Sequence, residues 1–206
     1  MLMTNNPHVT AILGDPASFT YPITLRNGEQ VIFRPLQKED AQRLGDYFIG
    51  LSEDLRNRFA PHAFNLETAQ ELCDQVGESD TVRLIALREA TQEVIAYYLL
   101  EFALDESDHQ RYLDYGIRLD PASDCRFAPS VMDRFQHSGL GSALMASCKE
   151  MANRVGCQRM ILMGGVYSWN EKAVPYYEKS GFRKVGIFRA GTAEESYDMI
   201  LNLSTK

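Results

Sequence analysis

A glutamine and two glycines stand between a predicted strand and a predicted helix, in the segment of residues 136–141. The first N–H groups of a helix have no intrahelical acceptor and lie at the positive end of the helix dipole, so they bind phosphate oxygens. Glycine at 139 and 141 removes Cβ atoms that would keep a phosphate from the backbone. The segment predicts a main-chain anion site, although a G-x-G pair taken alone also fits a simple tight turn.

Two other phosphate-binding motifs fit this segment less well. A dinucleotide-binding fold would place a third glycine where Leu144 stands and an acidic residue where Met163 stands. A P-loop would continue from its glycines into Gly-Lys-Ser/Thr, which is not found here. A nucleotide-binding protein is therefore the weaker interpretation.

The elements that must position this loop form a mixed α/β pattern. Residues 1–20 contain several turn formers and predict a loosely packed leader, and 206 residues with 45% hydrophobic content predict one domain over 21–206. Asn27-Gly28 between apolar runs indicates a hairpin. Predicted strands are residues 23–25, 31–33, 81–87, 94–104, 126–131, 159–163, 185–188 and 197–203, and predicted helices begin at Glu39 and cover 66–76, 139–155 and 171–179. Residues 105–110 read as a polar loop, and 115–117 as a short extra strand.

Charge and cysteine usage exclude several classes of protein. The formal charge of −7 and a pI near 5.1, without any Lys/Arg-rich stripe, argue against a nucleic-acid surface. The four cysteines form no C-x-x-C pair, so neither a metal site nor disulfides are predicted. No apolar run reaches the length of a membrane span, and the N-terminus lacks a signal-peptide pattern. We expect a cytoplasmic protein that does not associate with a membrane.

Three segments together resemble the GNAT superfamily of acyl-CoA N-acyltransferases. Residues 33–41 are similar to the opening strand and helix of the family, and residues 127–141 to its strand, Q/R-x-x-G-x-G/A loop and helix. Residues 170–182 match the family signature N-x-x-A-x-x-x-Y-x-K-x-G-F. The resemblance covers about residues 31–203, and the order and spacing of the last two segments make it specific.

The resemblance implies a central, mostly antiparallel sheet that is splayed at a cofactor cleft and flanked by helices. Acetyl-CoA (coenzyme A) is the implied cofactor: its pantetheine arm would lie along the end of the strand at Val131, and its pyrophosphate would lie on the loop. Tyr177 would be the catalytic residue, near the thioester sulfur. The implied cofactor-binding residues are Val131, Asp133, Gln136, His137, Ser138, Gly139, Leu140, Gly141, Ser142 and Asn170.

The chemistry of amine acylation needs a base, an oxyanion donor and an acid. An alkylammonium must lose a proton before it attacks, and Glu101, His109 and Asp133 are the candidate bases that the sequence leaves open. The backbone N–H of Val131 can stabilise the oxyanion, and the Tyr177 phenol can protonate the leaving thiolate. Pro175 departs from the commonest family pattern and predicts a small kink beside Tyr177.

The expected function is transfer of the acetyl group of acetyl-CoA to a primary amine by direct attack in a ternary complex. Residues 51–59 resemble a segment of the protein-lysine acetylating branch, so the acceptor is either a small molecule or a protein lysine. A homodimer is left open. The alternative is a non-catalytic acyl-CoA-binding sensor or regulatory module on the same fold.

Overall fold

The computed structural model describes residues 4–189 and 194–203 of the chain. Within those ranges, helices alternate with strands, and short 3₁₀ turns cover Pro16–Phe19, Lys38–Asp40 and Asp133–Phe135. In chain order the elements are α1 (Pro7–Gly14), β1 (Tyr21–Thr24), β2 (Gln30–Pro35), α2 (Ala41–Ile49), α3 (Glu53–Arg58), α4 (Leu66–Asp74), β3 (Thr81–Arg88), β4 (Val94–Glu101), α5 (Glu106–Asp114), β5 (Asp124–Val131), α6 (Leu140–Arg154), β6 (Arg159–Leu162), β7 (Val166–Tyr167), α7 (Ala173–Lys179), β8 (Arg183–Phe188) and β9 (Ser196–Asn202).

The described strands form one nine-stranded sheet in the order β1-β2-β3-β4-β5-β6-β9-β7, with β8 also paired to β9. Its pairs are mostly antiparallel, whereas β5 and β6 run parallel. This confirms the predicted mixed α/β class with an open sheet flanked by helices. The parallel register joins Asp124–Phe127 of β5 to Arg159–Leu162 of β6. β5 therefore continues for four residues past the last position at which it pairs with β6.

By its contacts the chain divides into two compact units. The first comprises residues 1–100 and 128–151, and the second comprises residues 101–127 and 152–206. One acetyltransferase domain over residues 21–206 stays a prediction, and residues 190–193 and 204–206 of it lie outside the described part. No helix among the described residues is both long and apolar enough to cross a membrane.

The first unit is built on the predicted hairpin and on α2. Gly28 adopts a φ of 84°, and the Leu25 N–H donates to the Glu29 carbonyl at 2.8 Å, which closes the turn between β1 and β2. On α2 the periodic side chains Leu44, Tyr47 and Phe48 are at most 1% exposed. The Tyr47 hydroxyl hydrogen-bonds the Ser130 hydroxyl at 2.8 Å, so the buried face of α2 is tied to β5.

The second unit has its own small core beneath α5. Tyr112, Leu119, Ile161 and Ile200 are buried together, and the Tyr112 hydroxyl donates to the Met199 carbonyl at 2.8 Å. On β8, Gly186 allows the Tyr115 ring to pack directly against the backbone, because a Cβ added there would lie only 2.0 Å from that ring.

The described part of the leader is ordered, contrary to the expectation for residues 1–20. Asn6 caps α1 by accepting the His8 N–H at 3.0 Å, and Pro7 occupies the first helical position, where its missing N–H has no cost. Val9 and Ile12 are buried, as is Phe19 in the next turn. The Asn-Pro pair is a helix start here; residues 1–3 lie outside the described part.

Other local predictions also need correction. Residues 105–110 were predicted as a loop, but Asp105 caps α5 by accepting the Ser107 N–H at 2.9 Å. Residues 115–117 form no strand, because Tyr115 ends α5 and Gly116 has a φ of 74°. Helix α3 and the two-residue strand β7 were not predicted.

Candidate functional site

The segment from β5 to α6 is arranged as the sequence predicts. β5 ends at Val131, a 3₁₀ turn covers Asp133–Phe135, and α6 begins at Leu140. The helix buries a regular stripe against the fold, comprising Leu140, Leu144, Cys148 and Met151, each fully shielded from solvent. This stripe fixes the orientation of the helix and therefore of the loop at its start.

The loop holds its amides in a left-handed conformation. Gly139 has a φ of 89°, and His137, which is exposed, has a φ of 63°. The Ser138 hydroxyl donates to the Phe135 carbonyl at 2.7 Å and accepts the Leu140 N–H at 3.3 Å. Within the described parts of the chain, the N–H groups of Ser138, Gly139 and Ser142 have no acceptor. Unpaired donors at a helix start are what an anion requires.

Gln136 links the loop back to the end of β5. Its side-chain amide donates to the Asp133 carboxylate at 3.1 Å and to the Val131 carbonyl at 3.4 Å. Gln136 therefore contacts two other residues that the sequence assigned to the cofactor. The first N–H past β5 is used within the sheet, since that of Met132 donates to the Ile95 carbonyl of β4 at 3.0 Å.

The backbone N–H of Val131 points away from β4, opposite to that of Met132. Successive backbone groups of a strand alternate in direction, so the Val131 N–H lies on the side of β5 opposite to β4. On that same side Pro129 has no N–H. Val131 therefore offers the one backbone donor near this end of β5 that faces away from β4.

Arg26 is a neighbour of the loop that the sequence pattern did not single out. Its Nε lies 3.7 Å from where a Cβ on Gly139 would stand. Arg26 belongs to the turn of the β1–β2 hairpin and precedes Gly139 by 113 residues. A guanidinium adds positive charge beside the unpaired amides.

In the second unit, Asn170 lies three residues before the first residue of α7. Its side-chain oxygen accepts the Ala173 N–H at 3.0 Å, and the residue is 8% exposed. A capping oxygen leaves the amide NH₂ of Asn170 as a donor. Pro175 is the third residue of α7, a position whose N–H has no intrahelical acceptor, and α7 runs unbroken from Ala173 to Lys179.

Tyr177 lies among aromatic rings. It contacts Phe182 edge-on with ring centroids 5.5 Å apart, and Tyr176 at 5.3 Å. Burial, and to a smaller extent the neighbouring Tyr176, raises the pKa of Tyr177 well above its ordinary value. The phenol is protonated at neutral pH, which is the state an acid needs, and the higher pKa makes transfer of its proton to a thiolate less favourable than from an exposed tyrosine.

The three predicted bases have very different surroundings. Glu101 forms an ion pair with Arg126 at 2.5 Å, and Arg126 also binds the buried Asp108 at 2.7 Å. Asp133 is exposed and accepts from Gln136, while His109 lies on α5 instead of in a loop. The geometry favours none of them as the base.

His62 is a histidine that sequence reasoning missed. It lies between α3 and α4, and its Nε2 is 3.1 Å from the Tyr97 hydroxyl while its Nδ1 is 2.8 Å from the Ala63 carbonyl. Burial lowers the pKa of His62, and the charge of Arg83 lowers it further. No local sequence signal marks this pair, because Tyr97 is 35 residues away.

Comparison with known proteins gives a family and a fold. The acetyltransferase (GNAT) family matches residues 51–182. No curated protein matches the chain.

Several solved structures share the fold at low sequence identity. The GNAT domain of PAT from S. lividans is 21% identical with a TM-score of 0.69, covering 91% of this chain and 99% of that one. Ribosomal-protein-S5-alanine acetyltransferase from Vibrio fischeri is 13% identical with a TM-score of 0.66, covering 89% and 97%. AAC(6')-Ib, in complex with parmomycin and acetyl-CoA, is 18% identical with a TM-score of 0.63, covering 84% and 93%.

Proposed function

The chain belongs to the acetyltransferase (GNAT) family, and from that premise we propose that it transfers the acetyl group of acetyl-CoA to a primary amine. The observation that carries this proposal is the start of α6. There the N–H groups of Ser138, Gly139 and Ser142 have no acceptor within the described residues, and Gly139 leaves the backbone bare. A diphosphate is the group that such a helix start fits.

The residues present fit coenzyme A in charge and in hydrogen bonding. The loop of residues 136–142 would hold the pyrophosphate through main-chain N–H groups, and Arg26 would add a cation. Val131 and Asp133 would pair with the pantetheine arm, and the free amide of Asn170 would donate to it.

Acetyl-CoA supplies an activated thioester, and the residues of the chain supply orientation and a proton. The Val131 N–H faces away from β4 and would donate to the thioester carbonyl oxygen as negative charge develops there. Tyr177 holds its proton on Oη until the sulfur accepts it. The four cysteines are all buried, and burial raises the pKa of Cys148 well above its ordinary value, so direct attack by the amine is favoured over an acyl-cysteine.

The neighbouring structures include one solved with a small molecule and one named for a residue of a protein. AAC(6')-Ib was solved with parmomycin, and the Vibrio fischeri enzyme is named for an alanine of ribosomal protein S5. At these identities the likeness shows the fold alone. A small-molecule amine and a protein lysine are both retained in the proposal.

The decisive variant is Tyr177→Phe, which removes the proton that Tyr177 is proposed to give. Release of free thiol from acetyl-CoA would be followed against a panel of amines and lysine-bearing peptides. We expect turnover to fall by roughly 10²–10⁴-fold, while the affinity for CoA stays within about twofold. Tyr176→Phe is the matched control and should keep its turnover, because its ring neighbours Tyr177 but lacks the assigned role.

A sensor that binds acyl-CoA without catalysis is the second candidate function. The observation that favours it is the state of the acidic candidates, since Arg126 holds Glu101 and Gln136 contacts Asp133. A sensor would bind CoA, and none of the acceptors in the panel would cause it to release thiol. Absence of CoA binding would contradict both functions.

A further inference from the structure

Arg83 on β3 is a partly buried guanidinium for which the described part of the chain supplies no counter-ion. Among the described residues no carboxylate lies within ion-pair distance of it, and its Nε is buried without a hydrogen-bond partner. Several other arginines of the same unit do pair, among them Arg34 with Asp40 at 2.7 Å and Arg88 with Glu29. A charge taken out of water without a partner is costly, so the position of Arg83 needs an explanation.

The groups beside Arg83 are neutral and cannot balance its charge. Burial raises the pKa of Tyr97 well above its ordinary value, and the charge and hydrogen bond of Arg83 oppose that rise without reversing it. Burial, and to a smaller extent the charges of Asp40 and Asp74, raise the pKa of the Cys73 thiol on α4 to about 12. Burial and Arg83 both lower the pKa of His62. A phenol, a thiol and a neutral imidazole therefore interact with the charge of Arg83.

The hydrogen bonds of this group have a defined direction. The Ala63 carbonyl only accepts, so the neutral imidazole of His62 carries its proton on Nδ1 and accepts the Tyr97 hydroxyl proton at Nε2. The Tyr97 oxygen is then left to face Arg83. Because His62 and Tyr97 are both neutral in this arrangement, neither of them offsets the positive charge of Arg83.

Aromatic rings form the rest of the surroundings. Phe48 lies 5.1 Å from the His62 ring and 5.4 Å from the Tyr97 ring between centroids, and Phe64 lies 5.2 Å from His62. His62 and Phe64 are only partly buried, so solvent reaches this side of the cluster. A cation beside partly open aromatic walls suits an organic anion, because a guanidinium forms two parallel hydrogen bonds with a carboxylate.

We propose that Arg83, flanked by Tyr97 and His62, binds the carboxylate of an organic acid, and that the acceptor of the acetyl group is an amine that carries a carboxylate, as an amino acid does. The first half stands on the structure of the first unit. The second half rests on the proposed acetyltransferase function and on the place of Tyr97 on β4, two residues from Ile95, whose carbonyl accepts the N–H of Met132 beside Val131 at 3.0 Å. A monoanion is favoured over phosphate because a single guanidinium faces otherwise neutral groups.

The carboxylate site is tested by binding, without reference to turnover. In ¹⁵N-labelled full-length protein, the buried Arg83 Nε–H signal would be assigned by its loss in Arg83→Met. Benzoate should shift that signal saturably, whereas neutral benzamide and inorganic phosphate should not. Benzoate affinity should fall at least about tenfold in Arg83→Met and Arg83→Gln. Equal responses to benzoate and benzamide, or unchanged benzoate affinity in a folded Arg83 variant, would overturn the site, and a preference for phosphate would assign it to a different anion.

Arg43→Met is the matched control for the binding experiment. Arg43 is an arginine of the same unit that already pairs with Asp40 at 3.2 Å. Its loss should leave benzoate affinity unchanged. A similar decrease in both variants would mean that general charge, and not Arg83, attracts the anion.

The acceptor class is tested with amines that differ only in the carboxylate. L-lysine against cadaverine and L-phenylalanine against phenethylamine would be compared as kcat/KM for thiol release. The carboxylate-bearing member of a pair should be preferred at least about tenfold, and Arg83→Met should abolish the preference. Turnover without such a preference would overturn the acceptor assignment while the acetyltransferase function stands. Benzoate binding with no turnover of any amine would keep the anion site and contradict the proposed function.

Discussion

At the residue scale, position 139 has two requirements that glycine meets better than any other residue. Its φ of 89° is left-handed, and its backbone must lie bare for an anion to approach. The nearest atom to an added Cβ is the Arg26 Nε at 3.7 Å, an ordinary contact distance. A substitution here therefore acts through backbone strain and through the space a phosphate would use, and crowding by the protein is a minor effect.

Gly139→Ala should weaken CoA binding by about tenfold, because its methyl group faces the ligand, and the left-handed backbone should also cost the folded state roughly 1–2 kcal/mol. Gly156→Ala is a matched control. Gly156 has a φ of 91° just past the other end of α6, with nothing within 4 Å of an added Cβ. Both variants should lose similar stability in urea, but only Gly139→Ala should lose affinity in a calorimetric titration with CoA. Equal losses of affinity would remove the anion role from the loop.

His62 should make the stability of the protein depend on pH. Burial, aided by Arg83, lowers its pKa below the ordinary value of 6.5, so folding favours the neutral imidazole. The unfolded chain then binds more protons, and this stabilisation is complete above 6.5 and is lost as pH falls through the folded pKa. Melting temperatures measured from neutral to acidic pH should fall less steeply in His62→Asn than in the wild type.

The control for that measurement is His137→Asn, which replaces an exposed histidine and keeps a residue that tolerates a left-handed φ. Its pH profile should follow that of the wild type. An unchanged profile in His62→Asn would show that the contact between His62 and Tyr97 does not select the neutral imidazole.

At the element scale, α7 depends on one side chain that also belongs to the candidate site. The Asn170 oxygen accepts the N–H of Ala173, the first residue of α7, and so acts as its cap, while its NH₂ group is the part proposed to donate to the pantetheine arm. The helix has seven residues, too few to be stable by propensity alone, so its cap and its packing hold it. Tyr177, on the same helix, takes its position from that cap.

Substitutions of Asn170 should separate these two roles. Asn170→Ala should lower the unfolding free energy by about 0.5–2 kcal/mol and also weaken CoA binding, since both groups are removed. Asn170→Asp keeps a capping oxygen and loses the NH₂ donors, so it should keep stability and still weaken binding. Urea unfolding and CoA titration of both variants would decide. Full CoA affinity in Asn170→Asp would reduce Asn170 to a structural cap.

At the scale of the whole molecule, acidic residues are not confined to the surface of this acidic protein. Asp40, Asp108, Asp124 and Asp198 are at most 1% exposed, and each forms an ion pair with at least one arginine. Within the second unit, Arg111 binds Asp198 at 2.9 Å and also Asp108, and its guanidinium lies 3.8 Å from the centre of the Phe188 ring. Such pairs fix α5 and β9 to each other.

Arg111→Met should be strongly destabilising, because it leaves Asp198 buried without its cation. We expect the unfolding free energy to fall by about 3–5 kcal/mol in urea, with partial recovery when Asp198→Asn is added. Lys184→Met is the control. Lys184 forms an exposed pair with Glu178 at 3.2 Å, and its loss should cost no more than about 1 kcal/mol. Similar losses in the two variants would mean that burial gives the Arg111 pairs no special weight.

The sequence alone determined what depends on neighbours along the chain. The 3.6-residue stripe of α6, the Asn27-Gly28 turn and the glycine loop are local patterns, so their elements and the GNAT resemblance could be predicted. Tertiary structure decided what depends on distant partners. Helix α5 was missed because its polar sequence is held by contacts such as that of Tyr112 with Met199, 87 residues away. The nearness of Arg26 to Gly139, the bond between His62 and Tyr97, and the unpaired charge of Arg83 arise only when strands pair and helices pack, since spacing along a chain does not encode distances across a sheet.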